Sequence, residues 1–190
     1  MDDQIVSTVY YGQAGAENTQ RTLSLALERA EALGIEDILV ATTSGDTGLA
    51  AARLFAERNL VVVSHSAGFA APNEQELDPG LRNQIEALGA RILTCQHAFG
   101  GVGRAIRRKF GSYQIDEIIA FTLRSLGQGT KVACEITLMA VDAGLVPAEK
   151  EVIAIGGTGR GADTAAVIYS ANSQDLFDLR ILEILCKPRG

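Results

Sequence analysis

The chain contains no tryptophan, only three cysteines and four prolines, and no excess of positive charge. Cys95, Cys134 and Cys186 are far apart and form no Cys-x-x-Cys motif, which argues against a disulfide framework and favours a reducing compartment. A formal net charge of −6 argues against a surface for nucleic acid or anionic membranes. No apolar run approaches the ~20 residues of a membrane-spanning helix, and the first four residues lack the basic-then-apolar order of a signal peptide. We therefore expect a cytoplasmic globular protein.

Apolar runs typical of strands alternate with helical patterns along the 190 residues, which we interpret as a single domain, 1–190. The predicted strands are 5–11, 38–41, 60–64, 91–94, 151–155, 164–170 and 179–186. The predicted helices are 17–33, 49–57, 80–88, 103–110, 112–126 and 131–143. The alternation predicts an α/β fold with a mostly parallel sheet, and strand 60–64 is apolar enough for a central position. The last three helices are expected to cover one face of this sheet.

A hydroxyl-rich turn, Thr42-Thr43-Ser44-Gly45-Asp46-Thr47, follows strand 38–41 and opens a helix. The N–H groups at the start of a helix have no intrahelical partner, and the helix dipole makes that end positive. The turn is therefore a candidate cradle for phosphate or another small anion. Ser, Thr and Asp are also favoured N-cap residues, so a plain capped connection remains the alternative.

A second glycine-rich segment, Gly156-Gly157-Thr158-Gly159-Arg160-Gly161, follows strand 151–155. It does not match a dinucleotide fingerprint, because the residues after it are β-branched and predict a strand, whereas a fingerprint must open a helix. The segment instead predicts a loop whose free N–H groups and Arg160 bind the polar part of a ligand. A glycine-rich hairpin without a ligand is the alternative.

Several short motifs give the chain a family resemblance along nearly its whole length. They are Glu17-Asn18-Thr19, Gly45-Asp46-Thr47, Gly68-Phe69, Cys134-Glu135-Ile136-Thr137, Arg160-Gly161-Ala162-Asp163-Thr164 and Cys186-Lys187-Pro188-Arg189. The chain resembles the C-terminal domain of pyruvate kinase, where a similar Thr-x-Ser-Gly turn binds the phosphate of a sugar bisphosphate. It is still more similar to small stand-alone archaeal and bacterial proteins described as pyruvate kinase C-terminal-domain-like.

This resemblance implies a doubly wound, three-layer α/β/α sandwich and bound flavin mononucleotide (FMN). It does not imply kinase activity, because the barrel that carries kinase chemistry is absent and Asp46 stands where pyruvate kinase usually has arginine.

The turn after strand 38–41 and the loop after strand 151–155 both lie at carboxyl ends of strands, where doubly wound sheets bind ligands. We therefore predict one shared site, with the ligand phosphate on Thr43–Thr47 and its ring or ribityl part near Gly157–Thr164. Phe69 is expected to stack on a planar ring, and His65 either acts on the ligand or packs with a satisfied imidazole. The predicted cofactor-binding residues are Thr43, Ser44, Gly45, Asp46, Thr47, His65, Gly68, Phe69, Gly157, Thr158, Gly159, Arg160, Gly161, Ala162, Asp163 and Thr164.

Other polar residues have less specific interpretations. Glu135 and Asp142 lie two turns apart on one helical face. A carboxylate in such a helix is either desolvated and functional or at the rim, and a position at the rim is expected. Arg104, Arg107 and Arg108, with Lys109, form a basic helical face. This face binds a second anion, binds an acidic partner surface or is simply solvated, and a solvated face is expected. Cys95 and His97 lack further ligands at zinc spacing, and no catalytic residue or metal is assigned.

Three functions remain open at this stage. The first is FMN binding, with or without flavin-dependent oxidoreductase activity. The second is a non-catalytic sensor of a phosphorylated metabolite. The third is an interaction subunit. Sandwiches of this kind often form homo-oligomers, and the sequence leaves the stoichiometry and the substrate open.

Overall fold

Seven strands form one mixed sheet in a computed structural model that describes residues 3–190, so the prediction made on the first residues lies partly outside the described range. The strands are β1 (Val9–Tyr11), β2 (Asp37–Thr42), β3 (Asn59–Ser64), β4 (Arg91–Thr94), β5 (Glu151–Gly156), β6 (Thr164–Tyr169) and β7 (Arg180–Pro188). Their spatial order is β1-β7-β6-β5-β2-β3-β4. Only β6 runs antiparallel to its neighbours, because the loop before it is too short for a parallel crossover. The predicted mostly parallel sheet is confirmed.

Six α-helices accompany the sheet in the described part of the chain. They are α1 (Thr19–Leu33), α2 (Asp46–Leu54), α3 (Pro79–Ala87), α4 (Val102–Phe110), α5 (Ile115–Arg124) and α6 (Gln128–Asp142), with 3-10 turns at Ala16–Asn18 and Ser173–Asp178. Within residues 3–190, none of these helices combines the length and apolar character that a bilayer crossing demands.

Two hydrophobic cores lie on opposite faces of the sheet, which makes the predicted three-layer sandwich. In β2, Ile38 and Val40 pack with α1, α2 and α3, whereas Leu39 packs with α5 and α6. This alternation follows from the two-residue period of a strand. The expectation that α4 covers the sheet is wrong: α4 has no buried residue and packs on α5 instead. Strand β3 is internal, as its apolar sequence predicts, but it lies next to the β4 edge and not at the centre.

Element boundaries differ from the prediction where tertiary contacts decide them. Strand β1 begins at Val9 and not at Ile5, because its ladder with β7 starts at Cys186. Helix α2 begins at Asp46, three residues earlier than predicted. Helix α6 already includes Gly129, where a Cβ would lie 2.1 Å from the hydroxyl oxygen of Thr164. Glycine therefore allows the first turn of α6 to approach β6 closely.

The order of the strands creates a crevice between β2 and β5. From β2 the chain proceeds outward to β3 and β4, and then returns to place β5 on the other side of β2. The connections leaving β2 and β5 therefore diverge to opposite sides, which is the topological switch point where open α/β sheets bind ligands. The predicted turn and the predicted loop both border this crevice.

Candidate functional site

A cavity of about 460 Å³ lies at the switch point and brings the two predicted segments together. The predicted residues that line it are Thr43, Ser44, Asp46, Thr47, His65, Phe69, Gly157, Gly159, Arg160 and Gly161. These residues come from the carboxyl ends of β2, β3 and β5, and the binding of a ligand among them stays a prediction.

The turn after β2 divides its hydroxyl groups between two tasks. The Thr42 hydroxyl oxygen accepts the N–H of Gly45 at 3.2 Å and the N–H of Gly48 at 3.4 Å, so Thr42 caps α2 from outside the helix. Ser44 donates a hydrogen bond to the Asp46 carboxylate at 2.7 Å. Thr43, Ser44 and Thr47 all line the cavity. Thr42 therefore acts as the helix cap, as the alternative interpretation of the turn predicted. Thr43, Ser44 and Thr47 are not needed for that cap and lie beside the cavity.

Six predicted residues do not line the cavity: Gly45, Gly68, Thr158, Ala162, Asp163 and Thr164. Gly45 has a φ of +116° and packs against α3, where a Cβ would lie 2.8 Å from that of Leu81. Asp163 is fully buried and accepts hydrogen bonds from the N–H groups of Gly15 and Thr158, both at 3.1 Å, and from the Thr164 hydroxyl at 2.9 Å. Asp163 therefore holds the glycine-rich loop in place from behind.

Helix α6 forms the wall opposite the turn, and most of the side chains it contributes are apolar. These α6 residues are Gln128, Val132, Glu135, Ile136 and Met139. Since α6 precedes β5 and runs opposite to it, its first turns lie at the carboxyl edge of the sheet. Ala41 and Val63 extend the apolar surface from the strands.

The expected rim position of Glu135 is wrong. Glu135 is only 3% exposed, and its carboxylate accepts hydrogen bonds from the Lys131 ammonium and from the N–H of Phe99 at 3.0 Å. Lys131 is itself buried. The carboxylate can remain deep in the wall because a cation one turn earlier and a backbone donor satisfy it. Asp142 differs, since it is exposed and accepts hydrogen bonds from Asn172 and Ser173.

Two histidines and a phenylalanine form an aromatic cluster at the cavity mouth. The Phe69 ring lies 4.1 Å from the His65 ring and 5.0 Å from the His97 ring, with an angle of 14° between the Phe69 and His97 planes. His65 bonds through Nδ1 to the Glu76 carboxylate at 2.7 Å, so its imidazole has a partner. The cluster presents flat apolar surface and titratable nitrogen atoms to the same cavity.

Burial perturbs the titration of two groups beside the cavity. Burial lowers the pKa of His97, against the opposing effect of Glu135, whose carboxylate lies 3.8 Å from His97 Nδ1. Burial likewise lowers the pKa of Lys131, and the Glu135 carboxylate opposes that shift too. Perturbed groups in a cleft are typical of sites that bind or transfer protons. Among residues 3–190, no group of three or more His, Cys, Asp or Glu side chains has a metal-binding arrangement.

His97, Glu135 and the α6 wall were not among the predicted site residues. His97 follows the carboxyl end of β4, just as His65 follows the carboxyl end of β3, and both ends lie at the same edge of the sheet. The rule that ligands bind at this edge, which selected His65, therefore also selects His97. A lysine and a glutamate four residues apart in an otherwise apolar helix were the sequence signal for a buried pair.

A model of the pyruvate kinase alpha/beta domain family matches residues 20–168. Among solved structures, a pyruvate kinase from Cryptosporidium parvum is similar at 14% identity and a TM-score of 0.40, over 80% of this chain and 23% of that one. An O-ureido-L-serine synthase is similar at 20% identity and a TM-score of 0.32, over 66% of this chain and 48% of that one. Since the family model covers most of the chain, the protein belongs to the pyruvate kinase alpha/beta domain family, as its motifs predicted.

Proposed function

We propose that the cavity at the switch point binds FMN and that the protein is a flavin-dependent oxidoreductase of the cytoplasm. The observation that carries this proposal is that one cavity combines the hydroxyl residues at the start of α2 with apolar and aromatic side chains from α6 and from the loop after β3. Its volume of about 460 Å³ lies within the range of cofactor sites, about 300–1,000 Å³.

The turn end suits the phosphate of FMN. Asp46 and Thr47 occupy the first turn of α2, whose N–H groups lack partners within the helix. Arg160 lines the cavity and forms no ion pair among residues 3–190, so its guanidinium is available to a phosphate. The Asp46 carboxylate opposes an anion, and the Ser44 hydroxyl, whose single proton goes to Asp46 in this structure, would turn to donate to the phosphate instead.

The remaining walls suit a flat tricyclic ring. Ile136 and Met139 supply apolar surface on α6, and Phe69 with His97 supplies aromatic planes at the mouth. Bound FMN would supply hydride and electron transfer. Glu135, His65 and His97 are titratable side chains that line this part of the cavity, and they are suited to hold or move a proton beside the ring.

The direct test is the visible spectrum of the purified full-length protein, followed by a fluorescence titration with FMN and with riboflavin. We expect FMN to bind more tightly than riboflavin, because riboflavin lacks the phosphate. A colourless protein that binds neither compound would refute the proposal.

Ser44→Ala separates a phosphate cradle from a plain turn. A hydrogen bond to a charged group contributes about 1.5–3 kcal/mol, so the variant should weaken FMN binding by about 10- to 150-fold. Riboflavin affinity should not change. Ser24→Ala, which removes an exposed hydroxyl on α1, is the matched control and should bind both flavins like the unaltered protein. Equal effects of Ser44→Ala on both flavins would exclude a phosphate at this turn.

Membership of the pyruvate kinase alpha/beta domain family supports a second function, a non-catalytic sensor of a phosphorylated metabolite. Anaerobic reduction of the bound flavin by NADH or NADPH distinguishes the two, because a sensor has no need of a reductant. Homo-oligomer formation stays a prediction, which analytical ultracentrifugation of the full chain tests.

A further inference from the structure

A second groove, of about 300 Å³, lies between α4 and α5, outside the proposed flavin cavity. Four arginines line it: Arg104, Arg107, Arg108 and Arg124. The whole chain carries a net charge of −6, so the positive charge of this groove is opposite in sign to the net charge of the protein. Guanidinium groups in one concave surface repel each other unless anions lie among them.

The protein itself neutralises little of this charge. Arg107 donates to the Glu117 carboxylate at 2.7 Å, and Arg124 donates to the uncharged Gln128 amide oxygen at 2.6 Å. Within the part of the chain that the structure describes, Arg104 and Arg108 form no ion pair. One carboxylate therefore faces four cations in the groove.

Aromatic rings orient three of these arginines. The Arg104 guanidinium lies 5.1 Å from the centre of Phe69, Arg107 lies 5.2 Å from Tyr113, and Arg124 lies 5.2 Å from Phe121. Stacking of this kind restrains a long side chain and lowers the entropic cost of binding an anion. The groove is thus partly organised for a ligand, unlike a row of solvated arginines.

Glu117 gives an independent indication of a ligand. It lines the groove, is only 8% exposed, and its Oε2 atom is buried without a hydrogen-bond partner in the described chain. An unsatisfied buried carboxylate oxygen is unfavourable, and a hydroxyl group that donates to it removes the penalty.

We propose that this groove binds a small phosphorylated molecule that also carries hydroxyl groups, such as a sugar phosphate. Arg104 and Arg108 take the phosphate, and the Glu117 side chain turns so that its Oε2 atom, which is buried in this structure, accepts a hydrogen bond from a ligand hydroxyl. Arg104 and Arg108 also border a smaller pocket of about 150 Å³ together with Phe69 and His97, which line the flavin cavity. A ligand in the groove therefore lies one side chain away from the cavity mouth.

Calorimetric titration of the full chain with ribose 5-phosphate, inorganic phosphate and ribose, at one fixed ionic strength, tests this proposal. We expect the sugar phosphate to bind more tightly than phosphate, and ribose not to bind. Arg108→Gln should weaken binding of ribose 5-phosphate at least about tenfold. Arg108 is exposed, so this variant should fold normally. Arg53→Gln, which removes an exposed positive charge on α2, is the matched control and should have no effect.

Glu117→Gln should change the affinity for phosphate in the opposite direction to Arg108→Gln. Removing the carboxylate charge should strengthen the binding of inorganic phosphate, while the preference for ribose 5-phosphate over phosphate should shrink. Wild-type affinity of Arg108→Gln for the sugar phosphate, or no binding by the unaltered protein, would overturn the proposal. So would a loss caused by Ser44→Ala and not by Arg108→Gln, since the sugar phosphate would then occupy the proposed flavin cavity. The FMN titrations are separate, so failure of one proposal does not affect the other.

Discussion

The buried ion pair between Lys131 and Glu135 allows a quantitative test of how the cavity wall is held. Both residues lie on α6, four positions apart, with side-chain exposures of 6% and 5%. Arg82 and Glu86 on α3 form an ion pair with the same spacing at exposures of 39% and 45%. The chain therefore contains its own exposed control for a buried pair.

Replacement of Lys131 by methionine keeps the apolar stem and removes the cation. The Glu135 carboxylate would then remain buried with one backbone donor, and breaking a buried pair in this way costs about 3–5 kcal/mol. Arg82→Met should cost only about 0.3–0.5 kcal/mol, because water solvates the remaining Glu86 carboxylate.

Urea unfolding of Lys131→Met, Glu135→Gln, the double variant and Arg82→Met at neutral pH measures these costs. The double variant should regain much of the stability that Lys131→Met loses, because the glutamine amide oxygen still accepts the N–H of Phe99 and no buried charge remains. The reasoning fails if Lys131→Met costs as little as Arg82→Met, or if the single losses simply add in the double variant.

Two further predictions concern the same region. Burial lowers the pKa of His97 below its usual value of 6.5, so the unfolded chain binds this proton at higher pH than the folded chain. The free energy of unfolding should therefore fall as the pH drops below about 6.5, and His97→Gln should flatten that fall in urea titrations; an unchanged slope would contradict it. Gly129→Ala should destabilise the protein by about 1–3 kcal/mol in thermal or urea unfolding, despite the higher helix propensity of alanine, because the new Cβ meets Thr164 at 2.1 Å. Gly80→Ala on α3, where the new Cβ would meet only the Asp78 side chain, should cost less, and equal costs would refute the packing explanation.

Periodicity predicted every strand and α-helix of this fold, because local patterns reflect which face of each element is buried. Its boundaries failed where a distant partner decides them. The predicted strand 5–11 is regular in sequence, yet only Val9–Tyr11 find partners on β7. Glycine has a low helix propensity, so the sequence alone predicts that α6 begins after Gly129. In the structure Gly129 lies inside α6, where the Thr164 side chain leaves no room for a Cβ.

The position of the candidate site was predictable for the segments that follow parallel strands, because such segments lie at the carboxyl edge of the sheet. The turn after β2 and the loop after β5 reach one cavity because both strands end at the same edge. The depth of Glu135 was not predictable in the same way, since burial of a carboxylate depends on the N–H of Phe99, which the chain brings from 36 positions away. The role of Asp163 was hidden for a similar reason: Gly15, one of its donors, lies 148 residues away.

The turn after β2 shows how a helix cap and an anion site can share one short sequence. Thr42, the last residue of β2 and the first of the turn, already accepts the N–H groups of Gly45 and Gly48, so α2 is capped without any ligand. The N–H groups of Asp46 and Thr47 remain in the first turn of the helix, next to hydroxyls that line the cavity. A turn that served only as a cap would require only Thr42. The hydroxyl groups of Thr43, Ser44 and Thr47 are additional to that need, and their position beside the cavity is the reason to expect an anion there.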